Sequence, residues 1–415
     1  MSAVTASGDL DAKNSFAEVW LITIGHALTH WYPATFYLLL PLIGAELGLT
    51  YGQIGSILAV QYAAGAVSNV PGGILVDSVG RKGMLMAVSL FWIGLPYYVM
   101  SFTHEYWMLL TCAALVGIGN NLWHPTAIPW LARRFADRKG LVVSLHGMGG
   151  NVGDAFAPLA AGFLLTAFTW REVVVINILP GVVMSVLIFV ILGRIQTRAK
   201  PEVKSDGSSA APEGAGLRKV LGGFGELLKN PTLVFLSVSS GFRSMTQNGL
   251  MTFLPLFLAT QMGYSPTWVG GCMFALQAAG FIAAPIAGHL SDKVGRRSIV
   301  MSSMVMSGVV LAMMAFAGQS NAFVFFIAVL GFFLFSIRAV LQAWLLDATP
   351  KHMGGSAIGV MFGTQAVGSA IGPFISGMIA DHYGLTATFY FLAGTIVLAN
   401  MVVFFTPATM HAKAA

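Results

Sequence analysis

Arginine, aspartate and histidine stand in this sequence at points where their neighbours are almost all apolar. These are the side chains able to do chemistry. Arg243, Arg338 and Asp154 each fall inside a long apolar run. A charge so placed costs roughly 2.5–3.5 kcal/mol on insertion scales, so it needs a partner, water or a use. A guanidinium presents a planar fork of donors that fits carboxylate, phosphate or phosphonate. Two arginines against one deep acid leave a positive excess, which suits a small organic anion. The plainer reading pairs one arginine with Asp154, or with helix carbonyls, as a structural bridge. Asp154 is also the leading candidate to carry a proton. His26 and His30, four residues apart on one helical face, are candidates to titrate in its place. His124 precedes Pro125, whose ring frees the carbonyl of Asn121 and bends a helix. Trp123, Gln247 and Gln342 complete the candidate substrate set with an aromatic surface and uncharged donors.

Other chemistries find less support. A transition-metal site from His26, His30 and His124 lacks any acidic or Cys ligand, and hydrogen bonding across helices is the commoner use of such residues. Cys112 and Cys272 sit in apolar runs with no ligand spacing, so neither a disulfide nor zinc is expected. Gly117-Ile118-Gly119 follows no strand and is no nucleotide loop, and Gly-x-x-x-x-Gly-Lys is absent from the sequence. No metal, no cofactor and no enzymatic activity are expected, and an ATP-driven pump is disfavoured.

The elements that must position these residues are membrane helices. The chain is 56% hydrophobic and 9% charged, with mean hydropathy +0.77. A soluble chain carries nearer a quarter charged residues. Runs long enough to cross a bilayer follow one another with short gaps. Alternating strands are absent, so a bundle of helices is the expected form. Twelve spans are read at about 16–46, 52–77, 82–102, 105–132, 139–166, 171–193, 231–262, 266–291, 297–317, 320–347, 352–380 and 384–406. They form an all-α membrane protein of two six-helix bundles, 16–193 and 231–406. A Gly/Ala/Ser/Pro-rich linker covers 194–230, with a short surface helix expected near Leu217–Leu228. Tails at 1–15 and 407–415 complete the chain. The N-terminus lacks a basic region, so no cleavable signal peptide is expected.

Placing both termini in the cytoplasm puts every Lys and Arg there except Arg171, Arg243 and Arg338. That asymmetry is the positive-inside signature. It accounts for the net charge of +6 and the basic pI without a nucleic-acid partner.

The chain also repeats itself. Gly73–Lys82, GILVDSVGRK, returns as Gly288–Arg297, GHLSDKVGRR. Gly153, Pro158 and Gly162 are answered by Gly368, Pro373 and Gly377. Two halves in the same direction are therefore one unit duplicated. Six plus six helices, parallel halves, a central linker and this doubled loop resemble the major facilitator superfamily. In that family the loop latches the halves closed on the cytoplasmic side. The resemblance implies that Asp77 faces the N-terminal end of the eleventh span near Gly354, and Asp292 that of the fifth near Gly140. Gly73 and Gly288 would allow close helix contact, and Gly80 and Gly295 the tight turn. Arg296 or Arg297 has a partner in Asp347. In the first half the matching position is Arg133, so Arg81 lacks that acid. The alternative is that these basic residues only set topology.

Residues 115–162, LVGIGNNLWHPTAIPWLARRFADRKGLVVSLHGMGGNVGDAFAPLAAG, look like the fosmidomycin-resistance group of bacterial efflux proteins, as do Gly25-His26, Leu40-Pro41 and Leu49–Gly55. This implies a monomeric, proton-coupled exporter of small anionic or amphiphilic compounds in a bacterial inner membrane, with helices 1, 4, 7 and 10 lining its cavity. The family's antiporter motif GxxxGPxxGG is met at Gly153, Ala157, Pro158, Ala161 and Gly162, with Ala at both inner glycines. The arginine usual in the fourth helix of drug antiporters is replaced by Ala113. The rivals are uptake of an organic anion by symport or exchange, and a transporter-derived sensor with little flux.

Overall fold

The computed structural model describes residues 16–120, 122–193, 229–350 and 353–407. The linker up to residue 228, with its expected surface helix, lies outside them, as do the N-terminal tail and the side chain of Asp77. All regular structure among the described residues is helical. The first half holds α1 (Phe16–Leu47), α2 (Tyr51–Ser78), α3 (Lys82–Met100), α4 (Tyr106–Asn120), α5 (Trp123–Arg134), α6 (Lys139–Leu164) and α7 (Trp170–Leu192). The second holds α8 (Pro231–Thr260), α9 (Pro266–Val294), α10 (Arg296–Ala317), α11 (Ala322–Asp347), α12 (Gly354–Tyr383) and α13 (Leu385–Phe404).

Local chemistry sets these boundaries. Thr50 and Thr169 open α2 and α7 with capping boxes to Gln53 and Glu172. Asn230 and Ser265 cap α8 and α9 ahead of a proline in the first turn. Gly295 turns α9 into α10 at φ +94°, a backbone that only glycine takes cheaply. Gly80, expected to do the same, stays outside the positive-φ region, so the two loops differ in backbone.

The fourth expected span is two helices, α4 and α5. The break falls one turn before Pro125, which has no amide for the carbonyl four residues back. Leu122 instead closes a tight turn onto the Gly119 carbonyl at 3.2 Å, and the Thr126 hydroxyl donates to the Leu122 carbonyl at 2.7 Å. A bidentate ion pair, Arg134 to Glu18 at 2.6 and 2.8 Å, then ties the end of α5 to the first turn of α1.

Among the described residues seven helices are long and apolar enough to cross a membrane by length and composition alone: α3, α7, α9, α10, α11, α12 and α13. Outside that set are the short α4 and α5, and α1, α2, α6 and α8, which carry His26 and His30, Gln61, His146 and Asp154, and Arg243.

The duplication is visible in the packing. A Cβ on Gly153 would sit 2.1 Å from the Ala27 carbonyl oxygen of α1, and one on its counterpart Gly368 would sit 2.1 Å from that of Gly241 in α8. Within each half, only glycine permits this backbone approach.

Between the halves, α2 meets α12 and α6 meets α9. Both pairs touch at the end remote from Arg81, Arg134 and Arg296. There Gly55 lies against the Pro373 carbonyl and Gly270 against that of Pro158. At the basic end the same four helices stand apart, since a Cβ on Gly73, Gly140, Gly288 or Gly359 would meet nothing within 4 Å. Gly73 and Gly288, expected at close contacts, therefore make none in this conformation. The molecule is shut at one end and open at the basic end.

Candidate functional site

The space between the halves opens at the basic end and leads inward along α6. Gly140, Ser144, Gly147 and Asn151 are exposed on one stripe of that helix, and the stripe ends at Asp154. Asp154 Oδ2 lies 3.0 Å from His30 Nδ1, with both side chains about 30% exposed. The acid's partner is thus a histidine of α1 and not an arginine.

His30 leads into a cluster of imidazoles. Its ring stands edge-on to His26, centroids 4.7 Å apart. His26 Nδ1 donates to the His146 carbonyl at 2.6 Å. In the neutral ring its Nε2 then carries the lone pair, which faces His124 Nε2 at 3.0 Å. Gly150 makes the room, because a Cβ there would lie 2.8 Å from His26 Cε1 and 3.0 Å from His30 Nε2. His146 was not among the candidates from sequence. Its spacing held the clue: His146, Gly150 and Asp154 fall on one face of α6, in step with His26 and His30 on α1.

His26, His124 and His146 bring ring nitrogens within 4.8 Å of one another. Coordination needs in-plane lone pairs that converge on one point. The rings of His26 and His146 are stacked at 3.9 Å and 14°, so their lone pairs run side by side. The set fits proton sharing better than a metal ion.

Across the space stand the arginines. Arg243, 3% exposed on α8, donates from Nη1 to Gln247 Oε1 at 2.7 Å, and its Nε finds no partner. Arg338 on α11 is exposed. It lies within electrostatic reach of Asp154, His124 and Arg243. Among the described residues neither arginine forms an ion pair. Gln342 is half-buried one turn from Arg338. Trp123 is wholly buried, its indole packed over Gly25 behind α1 and off the cavity wall.

A hydrogen-bonded chain closes the space on the shut side. The Tyr37 and Tyr62 hydroxyls are 2.5 Å apart, Tyr62 donates to Asn248 Oδ1 at 2.6 Å, and Asn248 Nδ2 donates to Ser369 Oγ at 2.8 Å. It runs from α1 and α2 to α8 and α12, joining the halves. The tyrosines gave no signal in sequence, since Tyr37 and Tyr62 read as ordinary apolar filling.

At the basic end Arg296 bonds Asp292 at 2.6 Å, Asp347 at 3.2 Å and the Ser291 hydroxyl at 2.6 Å. The expected approach of Asp292 to α6 near Gly140 is not made, because the halves are apart there.

The family model described as Major Facilitator Superfamily matches residues 19–283 and 236–414. The chain is similar to the fosmidomycin resistance protein of Escherichia coli (strain K12), 24% identical over 412 residues, 99% of this chain and 97% of the relative. It is similar to the phosphoglycerate transporter protein of Salmonella typhimurium, 23% identical over 403 residues, 91% of this chain and 85% of that one. In fold it is similar to a bacterial homolog of the human lysosomal transporter Spinster, solved inward-facing and unoccupied, with a TM-score of 0.74, 16% identity and 95% of each chain covered.

Proposed function

This chain belongs to the Major Facilitator Superfamily, and from that premise we propose that it exports a small organic anion against a proton gradient by alternating access. The observation that carries the substrate class is Arg243, a buried guanidinium with no acid beside it among the described residues, within electrostatic reach of Arg338. A buried charge left without a counter-ion is costly. An anion seated between the two forks supplies the missing charge and uses the free donors. The relatives named for fosmidomycin resistance and for phosphoglycerate transport support efflux and an anionic substrate respectively. The His30–Asp154 pair, on the other wall, is the proton carrier in this reading. The basic end is cytoplasmic by the positive-inside rule, so the form described is the one that loads substrate from the cytoplasm.

Binding of fosmidomycin and 3-phosphoglycerate to purified protein tests the anion site. Arg243→Gln and Arg338→Gln should each weaken affinity by about ten- to a hundredfold, the scale of a lost charge-assisted hydrogen bond. Arg243→Lys should fall between, since it keeps the charge and loses the fork. If these ligands and other organic anions bind all three folded variants as tightly as the parent, or if the parent prefers organic cations, the anion reading is wrong.

A further inference from the structure

The two seams where the halves close on each other are alike in backbone and unlike in side chain. At α6–α9 a Cβ on Gly162 would lie 2.5 Å from the Pro266 carbonyl oxygen. At α2–α12 a Cβ on Gly377 would lie 2.4 Å from that of Tyr51. Only the second seam carries a charge. Asp381, in the last turn of α12, accepts the amides of Tyr51 and Gly52, the first two of α2, at 2.8 Å each. Those amides have no partner within their own helix, and they form the positive end of its dipole. Gly52 is fitted to the contact, since a Cβ there would stand 2.8 Å from Asp381 Oδ2.

The other seam is unable to copy this bidentate bond in full. By the repeat, Thr166 occupies the place of Asp381, and Pro266 that of Tyr51. Proline has no amide to give. There the Thr267 hydroxyl donates to the Gly162 carbonyl at 3.1 Å, an uncharged bond. The duplicated unit kept the backbone seam twice and placed a carboxylate on one side alone.

We propose that Asp381 is the tie that holds the far gate shut: it is engaged in the conformation described here and released when the transporter opens to the opposite side. The bond is bidentate, charged and formed between the halves, so it exists only while they are closed at that end. The proposal depends on alternating access and not on which substrate is carried.

The test is a distance distribution by double electron–electron resonance on the full chain in nanodiscs. Spin labels at Glu105→Cys and Asn321→Cys, exposed residues at the shut end of the first and second halves, report the gate. Cys112→Ala and Cys272→Ala provide the background, both residues being buried. Asp381→Ala should raise the ratio of long to short separations about fivefold, the scale of a lost helix cap. Asp381→Asn keeps one acceptor and should fall between, and it decides the matter if the alanine variant does not fold. Thr166→Asp has the Thr267 amide alone to reach, since Pro266 has none, and should not lengthen the separations. If both Asp381 variants keep the parent's distribution, even with a lowered unfolding temperature, Asp381 is a helix cap only and the gate claim falls. A shift caused equally by Thr166→Asp would also overturn it.

Discussion

At the scale of single residues, the His30–Asp154 pair is the point where, in the proposed mechanism, charge movement meets shape. Its two partners belong to α1 and α6, held together by Gly149, Gly150 and Gly153. Asp154→Asn keeps the shape and removes the exchangeable charge. Accumulation driven by a pH gradient should be lost in proteoliposomes, while exchange of labelled for unlabelled substrate at equal pH persists. A variant that still concentrates substrate against its gradient removes Asp154 from coupling. His26→Gln should disturb both processes, because it breaks the bonds to His124 and to the His146 carbonyl. It should lower the rate of equal-pH exchange about tenfold, the scale of a buried hydrogen bond lost. An exchange rate equal to the parent's would leave the histidine cluster without a part in transport. The charged and basic members of this site were legible in sequence because apolar surroundings make each of them costly. Tyr37, Tyr62 and the unpaired ring of His146 were not, since tyrosines in an apolar run and a histidine without a charged neighbour look like packing until their partners are brought from other helices.

At the scale of elements, periodicity and length found the spans, and capping residues marked their starts. The one misread was the fourth, where a continuous apolar run hides a break. Pro125 was a visible kink signal, but whether a kink becomes a gap depends on the bonds made around it, here the Leu122 amide to the Gly119 carbonyl and the Thr126 hydroxyl to the Leu122 carbonyl. Pro125→Ala restores an amide and removes the ring, a change worth up to ~3 kcal/mol in helix preference. The amides between α4 and α5 should then exchange with deuterium at least tenfold more slowly, and transport should fall severalfold as Trp123 and His124 are turned from their places. Equal exchange rates in parent and variant would show that the break is held by packing alone, with Glu18–Arg134 as the first suspect.

At the scale of the whole molecule, the repeated loop and the paired Gly–Pro–Gly stretches announced the duplication. They left the conformation open, because glycines suited to close approach stand at both ends, Gly55 and Gly270 at one and Gly73 and Gly288 at the other. Since α2 and α12 run antiparallel, each carries an acid near its end: Asp381 lies against the start of α2, and Asp77 is the residue the family resemblance expects to meet the start of α12 once the basic end closes. Asp77→Asn should therefore act opposite to Asp381→Ala. It should favour the form described here and raise maleimide labelling of a Ser144→Cys probe severalfold at normal expression. Unchanged labelling would leave the loop a topological signal only. The shut seam itself has a further consequence. Where Gly55 meets Pro373 and Gly270 meets Pro158, main chain rests on main chain with no side chains to swing aside. Such a joint has no crevice to wet, and a file of water is what lets protons leak through a membrane protein. A carrier closed in this way is in that sense an insulator, able to sit in an energised membrane without discharging its voltage.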